Sequence, residues 1–146
     1  MEKQVIQSTG FRNITENGEV TGFQLKIRLP YYRGVFLSQI KPGHLHIDNE
    51  VFGEDEIQWQ VGGRRFTYAQ MRQDGQTHWN PMEPAVLIVR KPGGLSRGYH
   101  DISYGFCCTH SYMPPFMDAI EDPDRDEVIY FVEFGHNIHK RRLIIV

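Results

Sequence analysis

Apolar and polar residues alternate with a period of two through much of this chain. Phe23, Leu25, Ile27 and Leu29 are apolar and Gln24, Lys26 and Arg28 between them are polar, which predicts a strand over Val20–Leu29 with one buried face. Pro30 ends it, because proline cannot donate to a sheet ladder, and Tyr31-Tyr32-Arg33-Gly34 reads as an exposed corner. A second extended run, Val35–Ile40, leaves that corner, and Lys41-Pro42-Gly43 is expected to turn the chain. Leu45 and Ile47 then share one face of a short strand, with His44, His46 and Asp48 on the other.

The same pattern recurs to the end of the chain. Asn17-Gly18 is a hairpin signal after a short extended start, and Gly62-Gly63 joins Ile57–Val61 to a partner strand beginning near Arg65. Ala69–Gln73 fits a single helical turn, and Asp74–Glu83 reads as a long irregular loop. Ala85–Arg90 is a continuous apolar run suited to a sandwich centre. Over Tyr99–Tyr112 the even positions Ile102, Tyr104, Phe106 and Cys108 are expected to face the core, with Asp101, Ser103, Cys107 and Thr109 opposite. Val128–Phe134 and Leu143–Val146 supply the last strands, the latter entered through His139-Lys140-Arg141-Arg142. Eight to ten short antiparallel strands punctuated by glycine and proline predict an all-β domain spanning 1–146, a β-sandwich or jelly roll.

Composition narrows the function. The 146 residues are 40% hydrophobic and 23% charged, a globular balance that argues against disorder. A net charge of -2 with both signs scattered leaves no basic footprint for a nucleic-acid backbone. No apolar run is long enough to span a bilayer and the start, MEKQVIQSTG, lacks a signal-peptide core, so a cytoplasmic protein is expected. Cys107 and Cys108 are adjacent, and neighbouring strand residues point to opposite faces, so reduced structural thiols are expected rather than a disulfide or a nucleophile.

Several groups of residues carry possible chemistry. Two tyrosines and an arginine at a corner, Tyr31, Tyr32 and Arg33, combine contact area with planar hydrogen bonding, as interfaces favour; the plainer alternative is rings that pack with their hydroxyls in water. His44, His46 and Glu50 could present three ligands to a divalent metal, as the first cupin motif does in a jelly roll. Against this, Ser38 and Ile57 stand where the motif's glycines would fall, and Arg97 holds the position of a second-motif histidine. Trp59, Trp79 and the tyrosines could instead support sugar rings in a carbohydrate-binding module. The carboxylates Glu121, Asp122, Asp124, Asp126 and Glu127 read as a solvated acidic loop, and His110 as a core histidine.

Three islands, taken in order and spacing, go further: Leu29-Pro30-Tyr31-Tyr32-Arg33-Gly34 with Leu37-Ser38-Gln39-Ile40; Pro92-Gly93-Gly94-Leu95 with Gly98 and His100; and Ser111-Tyr112-Met113-Pro114. With the Trp59–Tyr68 hairpin, they make the chain resemble the β subunit of bacterial C-glycoside deglycosidases from about Phe11 to Pro114. The resemblance implies a small β-sandwich partnered with a larger sugar-isomerase-like α subunit, a (β/α) barrel holding a divalent metal, usually manganese.

It also implies a reaction: carbon–carbon lysis of a 3-oxo sugar from a flavonoid or other aromatic aglycone. A C-glycoside has no exocyclic oxygen for a general acid to protonate, so two-carboxylate hydrolysis has no leaving group to act on. A ketone at C3 acidifies the proton at C2, and a base with a metal-stabilised enolate can expel the aglycone. The resemblance places base and metal in the α subunit, with none in this chain. Tyr31, Tyr32, Arg33, Tyr112 and Met113 are then the candidates for interface or structural corner positions. His44, His46 and the segment Phe116–His136 have no place in that pattern.

Overall fold

The computed structural model describes residues 1–109, 122–125 and 137–146. The chain is all-β, with eleven strands and one short helix among those residues. Strands β1 (Arg12–Glu16), β2 (Glu19–Ile27), β9 (Ala85–Arg90), β6 (Ile57–Val61) and β7 (Arg64–Phe66) form one antiparallel sheet in that spatial order. The second sheet runs β11 (Ile138–Ile145), β10 (Gly98–Cys108), β4 (Ile40–Ile47), β5 (Glu50–Phe52). A third ladder pairs two residues of β3 (Val35–Phe36) with two of β8 (His78–Trp79). These two short strands take the count beyond the expected eight to ten, and β8 lies inside the stretch read as irregular loop.

The period-two pattern accounts for the layering. Phe23, Leu25 and Ile27 of β2, Leu87 of β9 and Trp59 of β6 are buried in one core with Leu45, Tyr104 and Phe106 of the other sheet. Trp59 meets Phe106 edge-on at 5.6 Å, and Phe23 meets Phe52 at 5.4 Å. Both predicted hairpins form. Asn17 and Gly18 take φ of 51° and 80°, the paired left-handed conformation of a two-residue hairpin loop, and Gly62-Gly63 does the same. A directed hydrogen-bond chain crosses the core: Trp59 Nε1–H donates to the Tyr104 hydroxyl (3.0 Å), which meets the Tyr68 hydroxyl (2.8 Å), which donates to the Gly43 carbonyl (2.6 Å). Burial raises both phenols well above their ordinary pKa, so they stay neutral hydrogen-bonding groups.

Four local expectations change. Val35–Ile40 is not one extended run: residues Leu37–Gln39 form a 3-10 turn, because Leu37 and Ser38 donate their N–H groups to the carbonyls of Thr77 and Asp74, and the Gln39 side chain accepts from Phe36 N–H. Lys41-Pro42-Gly43 is not a turn but part of β4. β5 pairs with Leu45–Ile47, so among the described residues Pro42 has a strand on one side alone, beside a register shift at Tyr104/Phe106, the settings in which strands tolerate proline. The stretch His139–Arg142 lies within β11 rather than before it. Cys107 is buried although its side of the strand was read as opposite the core, and at nearby Gly105 the Pro123 carbonyl lies where a Cβ would stand. The predicted strand Val128–Phe134, and His110, lie outside the described residues.

The sandwich has two distinct ends. The turns at Asn17-Gly18, Asp48-Asn49 and Lys91–Arg97 gather at one, where Gly93 N–H donates to Val20 O and Lys91 pairs with Glu50. The 31–34 corner, β3, the 3-10 turn and β8 gather at the other, the corner end.

Candidate functional site

At the corner end the structure divides the two tyrosines. Tyr31 is buried at 6% exposure, while Tyr32 is 70% exposed with its ring centroid 4.5 Å from that of Tyr31. The guanidinium of Arg33 lies over the Tyr32 ring, 5.5 Å from its centroid, a cation–π placement. Tyr31 therefore anchors the corner, and Tyr32 with Arg33 forms its outward face; the expectation that both tyrosines are exposed is corrected. The two rings part because Leu29 and Pro30 are already buried, so the corner turns on a fixed floor and only one of two consecutive side chains can follow it inward. Gly34 carries no side chain because a Cβ there would stand 2.0 Å from His78 Cε1 and 2.7 Å from the Trp79 carbonyl.

Neighbouring groups extend that face. Phe36 is 41% exposed and packs edge-on against His78 at 5.3 Å, and Met82, in the loop after β8, is 79% exposed. The end of β10 is tied to the same region, because Thr109 N–H donates to Gln39 O (2.7 Å) and Gln39 Nε2 donates to Thr109 O (3.1 Å). The first island thus adjoins the entrance to the third. Tyr112 and Met113 themselves lie outside the described residues.

The metal reading does not assemble. Glu50 lies past the Asp48-Asn49 turn and its carboxylate pairs with Lys91 Nζ at 2.7 and 3.0 Å. His46 projects from the outer face of β4 between Val51 and Ser103. His44 points to the same face but is engaged by Asp124. Among the described residues no three His, Cys, Asp or Glu side chains converge to hold a metal ion. The tryptophans that suggested a sugar platform are core residues, Trp59 at 0% and Trp79 at 1% exposure, so neither indole face is open to a ligand.

The pairing of His44 is the feature sequence reasoning missed. One oxygen of Asp124 accepts from His44 N–H at 2.6 Å, and the other contacts His44 Nδ1 at 2.5 Å. A carboxylate only accepts, so the His44 nitrogen that faces it, Nδ1, carries a hydrogen. Asp124 is itself set by a turn in which Asp122 Oδ1 accepts its N–H (3.0 Å). The partners are 80 residues apart. Asp122-Pro123-Asp124 reads as turn chemistry, and nothing in it names a histidine.

The second island is structural. Asn13 clamps it with two bonds, Nδ2–H to Leu95 O (2.9 Å) and Leu95 N–H to Oδ1 (2.8 Å). Gly94, at φ 66°, permits this approach, since a Cβ would lie 2.5 Å from Asn13 Oδ1. Buried His100 joins Asp48 Oδ2 through Nδ1 and the Ser96 carbonyl through Nε2, both at 2.8 Å. Both partners are acceptors, so the imidazolium satisfies them together. Burial opposes the charged form, yet the Ser96 carbonyl and Asp48 outweigh it and hold the His100 pKa above its ordinary value. The Asp101 N–H and His100 hold the Asp48 carboxyl below the usual range.

Comparison with known proteins adds an independent line. The sequence profile of the C-glycoside deglycosidase beta subunit family matches residues 1–112. A protein of Eubacterium cellulosolvens named C-glycoside deglycosidase beta subunit is 57% identical over 147 aligned residues, covering 100% of both chains. Proteins of the same name from Microbacterium trichothecenolyticum and Arthrobacter globiformis are 32% identical over 43% of this chain and 48% of theirs, and 26% identical over 61% and 66%.

Proposed function

Because this chain belongs to the C-glycoside deglycosidase beta subunit family, we propose that it is the noncatalytic subunit of a carbon–carbon lyase that releases an aromatic aglycone, such as a flavonoid, from a 3-oxo sugar. In this reading a sugar-isomerase-like α subunit holds the catalytic base and a divalent metal, manganese by the resemblance, and the present chain shapes and steadies that centre. The complex works in the cytoplasm; among the described residues no helix is long and apolar enough to cross a membrane. Tyr32 and Arg33, with Phe36 beside them, form the docking face, and Tyr31 is the structural half of the corner.

The observation that carries the reading is the end-to-end 57% identity with a protein named as such a beta subunit. The corner supports it, because an exposed tyrosine capped by arginine beside exposed Phe36 and Met82 offers the aromatic and arginine anchors on which interfaces depend. Reconstitution tests it. Purified chain is expected to leave a 3-oxo-C-glucoside intact, the α subunit alone to be weak or unstable, and the mixture to release aglycone. Aglycone release by this chain alone, through many turnovers, would overturn the assignment.

A further inference from the structure

We propose that the outer face of the first sheet carries a binding groove for a neutral, hydroxyl-rich ring, a sugar, built from this chain alone. The groove asks nothing of the α subunit, so it adds a ligand site to the subunit role rather than restating it.

Strand register builds its floor. Ile14 of β1, Gly22 of β2 and Arg90 of β9 lie abreast, and Ile88 of β9 lies abreast of Gln58 of β6, on the face turned away from buried Phe23 and Trp59. Gly22 admits no side chain, because a Cβ there would stand 1.9 Å from the Val89 carbonyl oxygen. Bare backbone therefore lies between the half-buried Ile14 and Ile88. β1 also shifts register between Ile14 and Thr15, and such bulges bend a strand and raise its twist. The result is a groove of about 540 Å³, with Glu16 and Glu19 of the first hairpin toward one end and Arg65 of β7 toward the other. Small-molecule sites commonly fall between about 300 and 1,000 Å³.

The charged groups around this floor are unspent. Glu16, Glu19, Asp55, Arg65 and Arg90 all line the groove, yet none of their side chains pairs with another described residue. Glu16 and Glu19 stand directly opposite each other across the hairpin, a like-charge placement that costs stability. A guest that donates to both carboxylates offsets that cost.

The mixture of signs selects the guest. A cation would meet Arg65 and Arg90, and an anion would meet three carboxylates. A hydroxyl suits both, since it donates to carboxylates and accepts from guanidinium groups, and the Gln58 amide can serve it either way. The C–H face of a sugar ring matches an aliphatic floor, where apolar area is buried without an aromatic platform.

Titration of the nitrogen-15-labelled full chain with methyl glucoside tests this. Amide shifts are expected over residues 14–22, 58, 65 and 88–90, with a Kd of about 1 mM for one ring on an open groove. Methylguanidinium and acetate, each of a single sign, should bind about tenfold more weakly or worse. Glu19→Ala combined with Arg65→Ala should raise the glucoside Kd about tenfold. Its Tm should hold or rise, because both side chains are exposed and the Glu16–Glu19 repulsion is relieved. No shifts at these residues up to about 10 mM glucoside, equal affinity for either ion, or an unchanged Kd in the folded double variant would overturn the proposal.

Discussion

The two ends of the sandwich use the polar side chains of their islands differently. At the turn end the polar groups are satisfied within the molecule: Asn13 holds the backbone of Leu95, and His100 joins Asp48 to Ser96. At the corner end Tyr31 and Trp79 are buried, while Tyr32, Phe36 and Met82 remain exposed and Arg33 stacks on the Tyr32 ring. Both ends carry islands of the same family resemblance, so similarity of sequence alone does not reveal which serves the fold and which serves a partner. Hydrogen bonding and exposure do. Residues whose polar atoms are used internally cost stability when removed; exposed residues of the type that interfaces favour cost affinity.

The contrast is open to a graded attack. The largest effect is expected at Gly94, where a branched side chain at φ 66° would meet Asn13 and break the clamp. Gly94→Val should destabilise the chain by about 3 kcal/mol, combining backbone strain with loss of a partly buried hydrogen-bonded contact. Urea denaturation would measure this, and a loss below about 0.5 kcal/mol, the range of an ordinary surface substitution, would deny the turn end its structural role.

Next comes the corner. Tyr32→Ala combined with Arg33→Ala should weaken association with the α subunit by about 2 kcal/mol, roughly thirtyfold in Kd, as interface anchors do. The stability of the isolated chain should change by less than about 0.5 kcal/mol, because both side chains are exposed. Calorimetric titration paired with thermal unfolding reads both quantities, and a collapse in Tm with an unchanged Kd would reverse the roles given to the two ends.

The smallest effect is pH-dependent and belongs to the turn end. The folded pKa of His100 is raised above its ordinary value, so the folded state holds its proton more tightly than the unfolded chain. The stabilisation is complete below the unfolded value near about 6.5 and fades as pH rises through the raised folded value. Asp48, held low, acts in the opposite direction: its contribution is present above about 3.9 and is lost as pH falls toward its depressed value. His100→Gln should therefore cost about 1 kcal/mol near pH 6, with the gap to wild type narrowing in alkaline solution. A gap that widens with rising pH would mean that the native histidine is neutral.

Much of this arrangement was legible in the sequence, for reasons particular residues make plain. Asn17-Gly18 and Gly62-Gly63 specify their turns locally, whereas the strand expected to run to Leu29 and stop at Pro30 already closes at Ile27. Lys41-Pro42-Gly43 carries the same kind of signal and misleads, because what admits Pro42 into β4 is the early end of β5, a fact of neighbouring strands. Tyr31 and Tyr32 are alike in chemistry and adjacent in the chain, and only the direction of the corner separates anchor from exposed ring. The histidines were visible as candidates, but the partner of His44 lies 80 residues away in a segment that reads as solvated acid. Strand pattern is local and survives translation into structure; pairing of charged groups across the fold is not local and does not.

Hydrogen–deuterium exchange of this chain, free and bound to the α subunit, addresses the central claim most directly. The account predicts slowed exchange over residues 31–36 and 77–82 on complex formation, with residues 91–100 unchanged. Protection confined to 91–100, with the corner exchanging as fast in the complex as in the free chain, would contradict it.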